Sequence, residues 1–191
     1  MLRAPSTLQS TTKVTSTYQT PSLTFLQGKW HVTHSTLPMW KSKRNVSITY
    51  TPLPASDPSI SADQGTDRLD DLVSYQSLDS DKVQTVRGVD KASGGSRDAW
   101  DWRGKGWLMI ASSHWEILGW GEEVIAAEGD ARNAWVVTYF AKTLFTPAGI
   151  DLYSRSQRGL QPDTVEKIKD ALAEIEGLSS LASEVFAVKT D

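Results

Sequence analysis

The chain has no cysteine in 191 residues, which excludes disulfide bonds, thiolate nucleophiles and thiolate-ligated metals. Its three histidines are His31, His34 and His114. His31 and His34 stand three apart on what reads as a strand, so they fall on opposite faces and cannot chelate one ion together; no metal or other cofactor is expected. No stretch approaches the roughly 18 consecutive apolar residues of a membrane-spanning helix. The first residues lack the apolar run of a secretory signal. There is no Gly-x-Ser-x-Gly elbow, and Gly94-Gly95 is followed by neither Gly-Lys-Ser/Thr nor a helix, so it reads as a turn and not a phosphate cradle. Residues 1–56 contain six Lys or Arg and no acid, while the rest carries all 23 Asp and Glu against fourteen basic residues. Two basic residues in the first 22 are few for an organelle transit peptide, which stands as the alternative to the favoured reading of residues 1–22 as a flexible Ser/Thr-rich tail. A net charge of −3 gives no reason to expect nucleic acid.

Tryptophan is abundant. Eight occur, and six of them (Trp100, Trp102, Trp107, Trp115, Trp120 and Trp135) fall between residues 100 and 135. Each indole couples a large apolar body to an N–H that needs a partner when buried, so such a cluster either fills a core or lines a pocket. The 39% hydrophobic and 23% charged content is that of a globular chain of one domain.

Alternation places strands at 28–36, 45–51, 72–78, 82–89, 99–103, 107–112, 114–120, 134–142 and 150–155. The segments 52–68, 92–96 and 122–132 read as loops. A helix over 163–176 is marked by a capping box from Asp163 and Glu166, an apolar stripe of Val165, Ile168, Leu172 and Ile175, and a stop at Gly177. Val185, Phe186 and Val188 read as a terminal clip.

Gly28 permits a tight turn into the first strand, Trp30 offers a flat apolar plug, and Arg155 can lie across that indole as a cation–π partner. This Gly-x-Trp strand, the series of hairpin strands, a last strand ending in Ser154-Arg155 and the helix after it resemble the lipocalin (calycin) family over residues 25–190. The middle motif is degraded to Val137-Thr138-Tyr139. The resemblance implies an all-β, closed antiparallel up-and-down barrel of about eight strands over residues 23–191, with one flanking C-terminal helix. Residues 37–40 then resemble the family's lid loop.

What the resemblance implies for function is binding, as a carrier or store, of a small and mostly apolar molecule in the barrel. The alternatives are an enzyme of the isomerase, cyclase or dehydratase type acting on an apolar metabolite, and a barrel filled by its own indoles. Alternation from an inward Trp30 assigns His34, Tyr50, Tyr75, Trp100, Trp102, Trp115 and Tyr139 to the cavity wall, with Trp40 at the mouth. Gly28, Trp30 and Arg155 are structural. Asp70-Asp71 and Glu122-Glu123 read as loop or edge residues, so no carboxylate pair is expected to act as acid and base. Secreted members of the family commonly carry a disulfide, so its absence points to the cytoplasm.

Overall fold

The computed structural model describes residues 1–8, 18–57, 66–95, 97–125 and 129–191. Parts of the sequence-assigned tail (9–17) and loops (58–65, 96 and 126–128) lie outside the described residues.

One helical turn, α1 (Leu23–Leu26), is capped by Ser22, whose Oγ accepts from the Phe25 N–H at 3.1 Å. It precedes eight strands: β1 (Gly28–Ser35), β2 (Lys43–Pro52), β3 (Arg68–Ser77), β4 (Gln84–Ala92), β5 (Ala99–Gly104), β6 (Ser112–Ile125), β7 (Ala131–Phe140) and β8 (Gly149–Ser154). Each pairs antiparallel with the next, and β1 pairs with both β2 and β8, so the sheet closes on itself. Closure removes the free edges that an open sheet would expose. A two-residue strand, β9 (Phe186–Ala187), adds to the upper part of β1.

The barrel wall has two apolar sides. Inside, Trp30, Ile48, Tyr50, Leu69, Trp100, Trp115, Ile117, Val136 and Tyr153 pack together. Outside, Val137, Ile150 and Leu152 meet Val165, Ile168 and Leu172 of α2 (Pro162–Ala173). This double burial makes every residue of β8 buried. The helix α2 ends at Ala173 with Glu174 as its cap, short of the expected stop at Gly177, and a second short helix, α3 (Ser179–Ser183), follows Gly177 (φ 84°).

Three sequence assignments are corrected. Residues 107–112 do not form a strand: the chain makes a 3-10 turn at Gly106–Leu108, and β6 starts only at Ser112. Residues 122–125 and 131–132 are not loop but the far end of a long β6–β7 ribbon. There Arg132 pairs with Glu122 at 2.8 Å in solvent, while Glu123, on the opposite face, is buried against Asn133 and the start of α2. Charges alternating on a two-stranded ribbon mimic loop composition. The helix has no capping box either. It begins at Pro162 after Gln161, whose N–H is accepted by the buried Glu123 carboxylate.

Residues 1–8, assigned from sequence to the tail, run along the outside of β6. The Arg3 N–H donates to the Leu118 carbonyl at 2.8 Å, and its guanidinium pairs with Glu116 at 2.8 Å. The Ser6 hydroxyl also donates to Glu116. Burial favours the neutral acid here, but these hydrogen bonds outweigh it and hold Glu116 below the usual carboxylate range.

Candidate functional site

One end of the barrel is sealed. The Arg155 guanidinium lies 3.6 Å from the centre of the Trp30 ring and donates to the carbonyls of Lys29 (2.7 Å), Gln27 (2.7 Å) and Phe25 (2.5 Å). The Trp30 Nε1–H donates to the Leu26 carbonyl at 2.8 Å. Gly28 enters the strand at φ 95°, and a Cβ there would come 3.3 Å from Arg155 Nη1. The seal thus needs glycine for backbone conformation and for room. Burial pulls the guanidinium down to about 10.

The other end has no such seal. Pairing from Trp30–Ile48 and Ile48–Val73 onward fixes which residues face inward. Toward the sealed end Trp30, Ile48, Tyr50, Leu69, Trp100, Trp115 and Val136 are buried, with Trp120 partly exposed at the rim. Toward the opposite end Val73, Tyr75, Val86, Trp102, Ser113 and Phe140 also face inward but remain partly exposed. Partial exposure on an inner face means that this half of the barrel encloses its side chains less completely than the sealed half does. Its floor is a stack: Tyr50 on Trp115 at 5.6 Å and Trp115 on Trp100 at 6.0 Å between ring centres.

Carboxyls stand in this apolar floor and wall. Asp71 and Asp90 are buried on neighbouring strands β3 and β4. The Trp115 Nε1–H donates to Asp90 Oδ1 at 2.8 Å, whereas Asp90 Oδ2, Asp71 Oδ1 and the Tyr153 hydroxyl have no hydrogen-bond partner among the described residues. Burial pushes Asp90 up to about 7, against the Trp115 hydrogen bond. It pushes Asp71 well above its ordinary value, reinforced by the charge of Asp90. On another wall Asp151 accepts from Ser35 Oγ at 2.5 Å and Trp40 Nε1 at 3.3 Å, and burial raises it to about 7.

Of the residues assigned from sequence to the cavity, six face inward. Tyr50, Trp100 and Trp115 form the floor, and Trp102 and Tyr75 stand in the wall. Trp40, on a 3-10 turn at Pro38–Ser42, folds down against Tyr75 at 6.1 Å. Two assignments are corrected. His34 lies on the outer face, where burial and Lys169 of α2 lower its pKa. A bulge between Val32 and His34 shifts the register and breaks the alternation that pointed it inward. Tyr139 packs outside among Ile150, Leu152 and the helix, because its neighbour Thr138 takes the inward position.

Asp71, Asp90, Asp151 and Tyr153 were missed. The signal for the first two was present: Leu69-Asp71-Val73-Tyr75 and Val86-Gly88-Asp90-Ala92 alternate with the period of a strand. Asp151 had none, since β8 is buried on both faces.

Gly88 shapes the wall beside Asp71. A Cβ there would meet Trp102 Nε1 at 2.2 Å and the Arg103 carbonyl at 2.7 Å, so the Trp102 indole lies flat on bare backbone. Gly88→Ala is expected to push that indole off the sheet toward the barrel interior, at a cost of about 1–3 kcal/mol in urea unfolding. An unchanged midpoint would mean that the indole has room to move.

Among the described residues there is no group of three or more His, Cys, Asp or Glu arranged to hold a metal, and no helix is long and apolar enough to cross a membrane.

No protein-family model matches the sequence. A curated relative, "Botcinic acid biosynthesis cluster B protein 12" of Botryotinia fuckeliana (strain B05.10), is 29% identical over 160 residues; the match covers 78% of this chain and 64% of that protein, under two thirds of its length. Among solved structures, the cockroach major allergen Per a 4 superposes with a TM-score of 0.58 at 11% identity, covering 94% of both chains. The siderocalin Ex-FABP gives 0.50 at 16% identity, covering 87% of this chain and 91% of that one. The bovine lipocalin allergen Bos d 2 gives 0.50 at 9% identity, covering 86% and 93%. At such identities these likenesses establish the fold alone. With its eight-stranded closed barrel, its sealed end and its C-terminal helix, the chain has the lipocalin-like, calycin fold.

Proposed function

We propose that the protein binds a small, mostly apolar molecule carrying one hydrogen-bonding group, held in the unsealed half of the barrel. The observation that carries this reading is the contrast between the two ends: indoles and tyrosines are fully buried at the floor and partly exposed in the wall above it. Apolar area removed from water supplies the driving force, at roughly 25 cal/mol per Å² before the costs of association. The unpartnered oxygens of Asp71 and Asp90 orient the ligand, because a polar group seated against either one satisfies a desolvated carboxyl. A hydroxyl or amine on an apolar skeleton meets both demands.

The test is native mass spectrometry of molecules that co-purify with the full chain, paired with tryptophan quenching by a fatty acid, a retinoid and a sterol. Saturable quenching at micromolar concentrations or below is expected for at least one class. It should weaken about tenfold or more in Trp102→Ala, which loses wall area. The absence of saturable quenching and of any co-purifying molecule would overturn the reading.

A specific observation favours a second reading, an enzyme acting on such a molecule. Two carboxyls on adjacent strands, one raised to about 7 by burial, form the kind of pair that shuttles a proton near neutral pH. The name of the Botryotinia relative, a biosynthesis-cluster protein, agrees with a role in making a metabolite. Turnover of a bound apolar compound that is lost in Asp90→Asn while binding persists would establish catalysis over carriage.

A further inference from the structure

The unsealed end carries a second feature that the proposed ligand site does not require. Four connections surround the mouth: residues 36–42, 78–83, 105–111 and 141–148. Ten large apolar side chains are exposed among the described residues, and seven of them sit on these four loops: Met39, then Leu78 and Val83, then Met109 and Ile110, then Leu144 and Phe145. Ile110, Leu144 and Phe145 are 94%, 96% and 89% exposed, which puts them at the tips. Every loop of the ring contributes, and none of the three strand connections at the sealed end (53–67, 93–98 and 126–130) shows such a cluster among its described residues.

Charge divides the same way. Within the four loops and the strand ends that carry them (36–44, 77–84, 103–112 and 140–149) stand Lys41, Lys43, Arg44, Lys82, Arg103, Lys105 and Lys142, against Asp79 and Asp81 alone. Arg44 is paired with Asp81 and Asp191, and Lys105 with Asp70, so the excess rests on Lys41, Lys43, Lys82, Arg103 and Lys142. The whole chain has more acidic than basic residues, 23 against 20, so the mouth is a basic pole on an acidic protein.

We infer that the mouth docks onto an anionic lipid bilayer, the apolar loop tips entering the interface and the ring of lysines and arginines facing the headgroups. Apolar side chains at several separate points around a ring, with cations between them, suit a soft surface that yields to each tip. The basic excess selects an anionic leaflet. A second copy of this chain would present the same positive pole, so face-to-face pairing brings like charges together. Docked in this way the unsealed half faces hydrocarbon, and an apolar ligand moves between protein and bilayer without crossing water. Docking itself does not depend on the proposed ligand and is tested without one.

The experiment is co-sedimentation of the full chain with vesicles of phosphatidylcholine alone or mixed with phosphatidylserine, at low and high salt. Binding is expected to the mixed vesicles, at least tenfold weaker to phosphatidylcholine alone, and reduced by salt. Leu144→Ser with Phe145→Ser should lower it about tenfold or more. Val124→Ser, which removes an exposed apolar side chain from the β6–β7 ribbon, should leave it unchanged. These side chains are exposed, so unchanged urea midpoints will show that the variants fold. Failure to sediment with mixed vesicles at low salt would overturn the inference, as would equal binding by the double variant. So would a concentration-dependent dimer abolished by that double variant, since it would assign the ring to a second copy.

Discussion

Arg155→Ala is expected to lower stability by about 4 kcal/mol, a large share of the margin of a domain this size. The guanidinium serves three carbonyls, of Phe25, Gln27 and Lys29, and covers the Trp30 ring at 3.6 Å. Leaving such acceptors without a donor costs about 1–3 kcal/mol each where water cannot replace it, and a desolvated cation–π contact is worth about 2 kcal/mol. Partial access of water to the bottom rim brings the sum down to the figure expected. Arg155→Lys keeps the charge but has no planar fork to bridge several carbonyls while lying flat on an indole, so it should recover less than half of the loss. Trp30→Ala should cost about 3–5 kcal/mol by opening a hole where a fully buried indole stood. The double variant should cost less than the two losses added together, because each removes the other's partner. Urea unfolding of the four proteins measures all of this. A loss under about 1 kcal/mol for Arg155→Ala would mean that the barrel end is held by α1 and the apolar cluster alone.

That contact was legible in the sequence because it rests on residue types with little alternative use: a glycine that needs positive φ, an indole two positions on, and an arginine at the end of the last strand. Strand order was legible for a similar reason, since alternation and turn residues report local geometry. The inner wall was only half legible. Alternation placed Tyr50, Tyr75, Trp100, Trp102 and Trp115 inward, and all five face inward. It failed at His34, because the bulge after Val32 inserts a residue and reverses the face. It failed again at Tyr139, where both faces of the wall are apolar, one against the lumen and one against α2. The carboxyls escaped for a different reason. An aspartate beside another aspartate, as at Asp70-Asp71, reads as loop by composition, yet the first turns out to Arg87 and Lys105 and the second turns in. Only the three-dimensional closure of the sheet makes the second one buried.

Stability is expected to fall as pH rises from about 4.5 to about 7, the reverse of the usual acid-sensitive profile. Asp151 is fully buried and raised to about 7, whereas in the unfolded chain an aspartate titrates near 3.9. Between those values the native state holds a proton that the unfolded state has released. Stability therefore declines with rising pH by about 1.4 kcal/mol per unit for each such group and levels off above the folded-state value. For Asp151 alone the full decline is about 4 kcal/mol, and Asp71 and Asp90 act in the same direction. Glu116 and Asp70 act oppositely. Burial disfavours their charge, but the hydrogen bonds from Ser6 and Arg3, and from Arg87 and Lys105, hold both below the ordinary range, so their contribution is present above about pH 4.5 and lost below it. The two sets together predict a maximum near pH 4–5. Urea midpoints across pH 4 to 8 should show it, and Asp151→Asn and Asp90→Asn should each flatten the neutral side. Midpoints that rise between pH 5 and 7, or a slope untouched by either substitution, would refute the assignment. A ligand whose donor meets Asp90 should raise the midpoint of the native protein at pH 7 by more than that of Asp90→Asn.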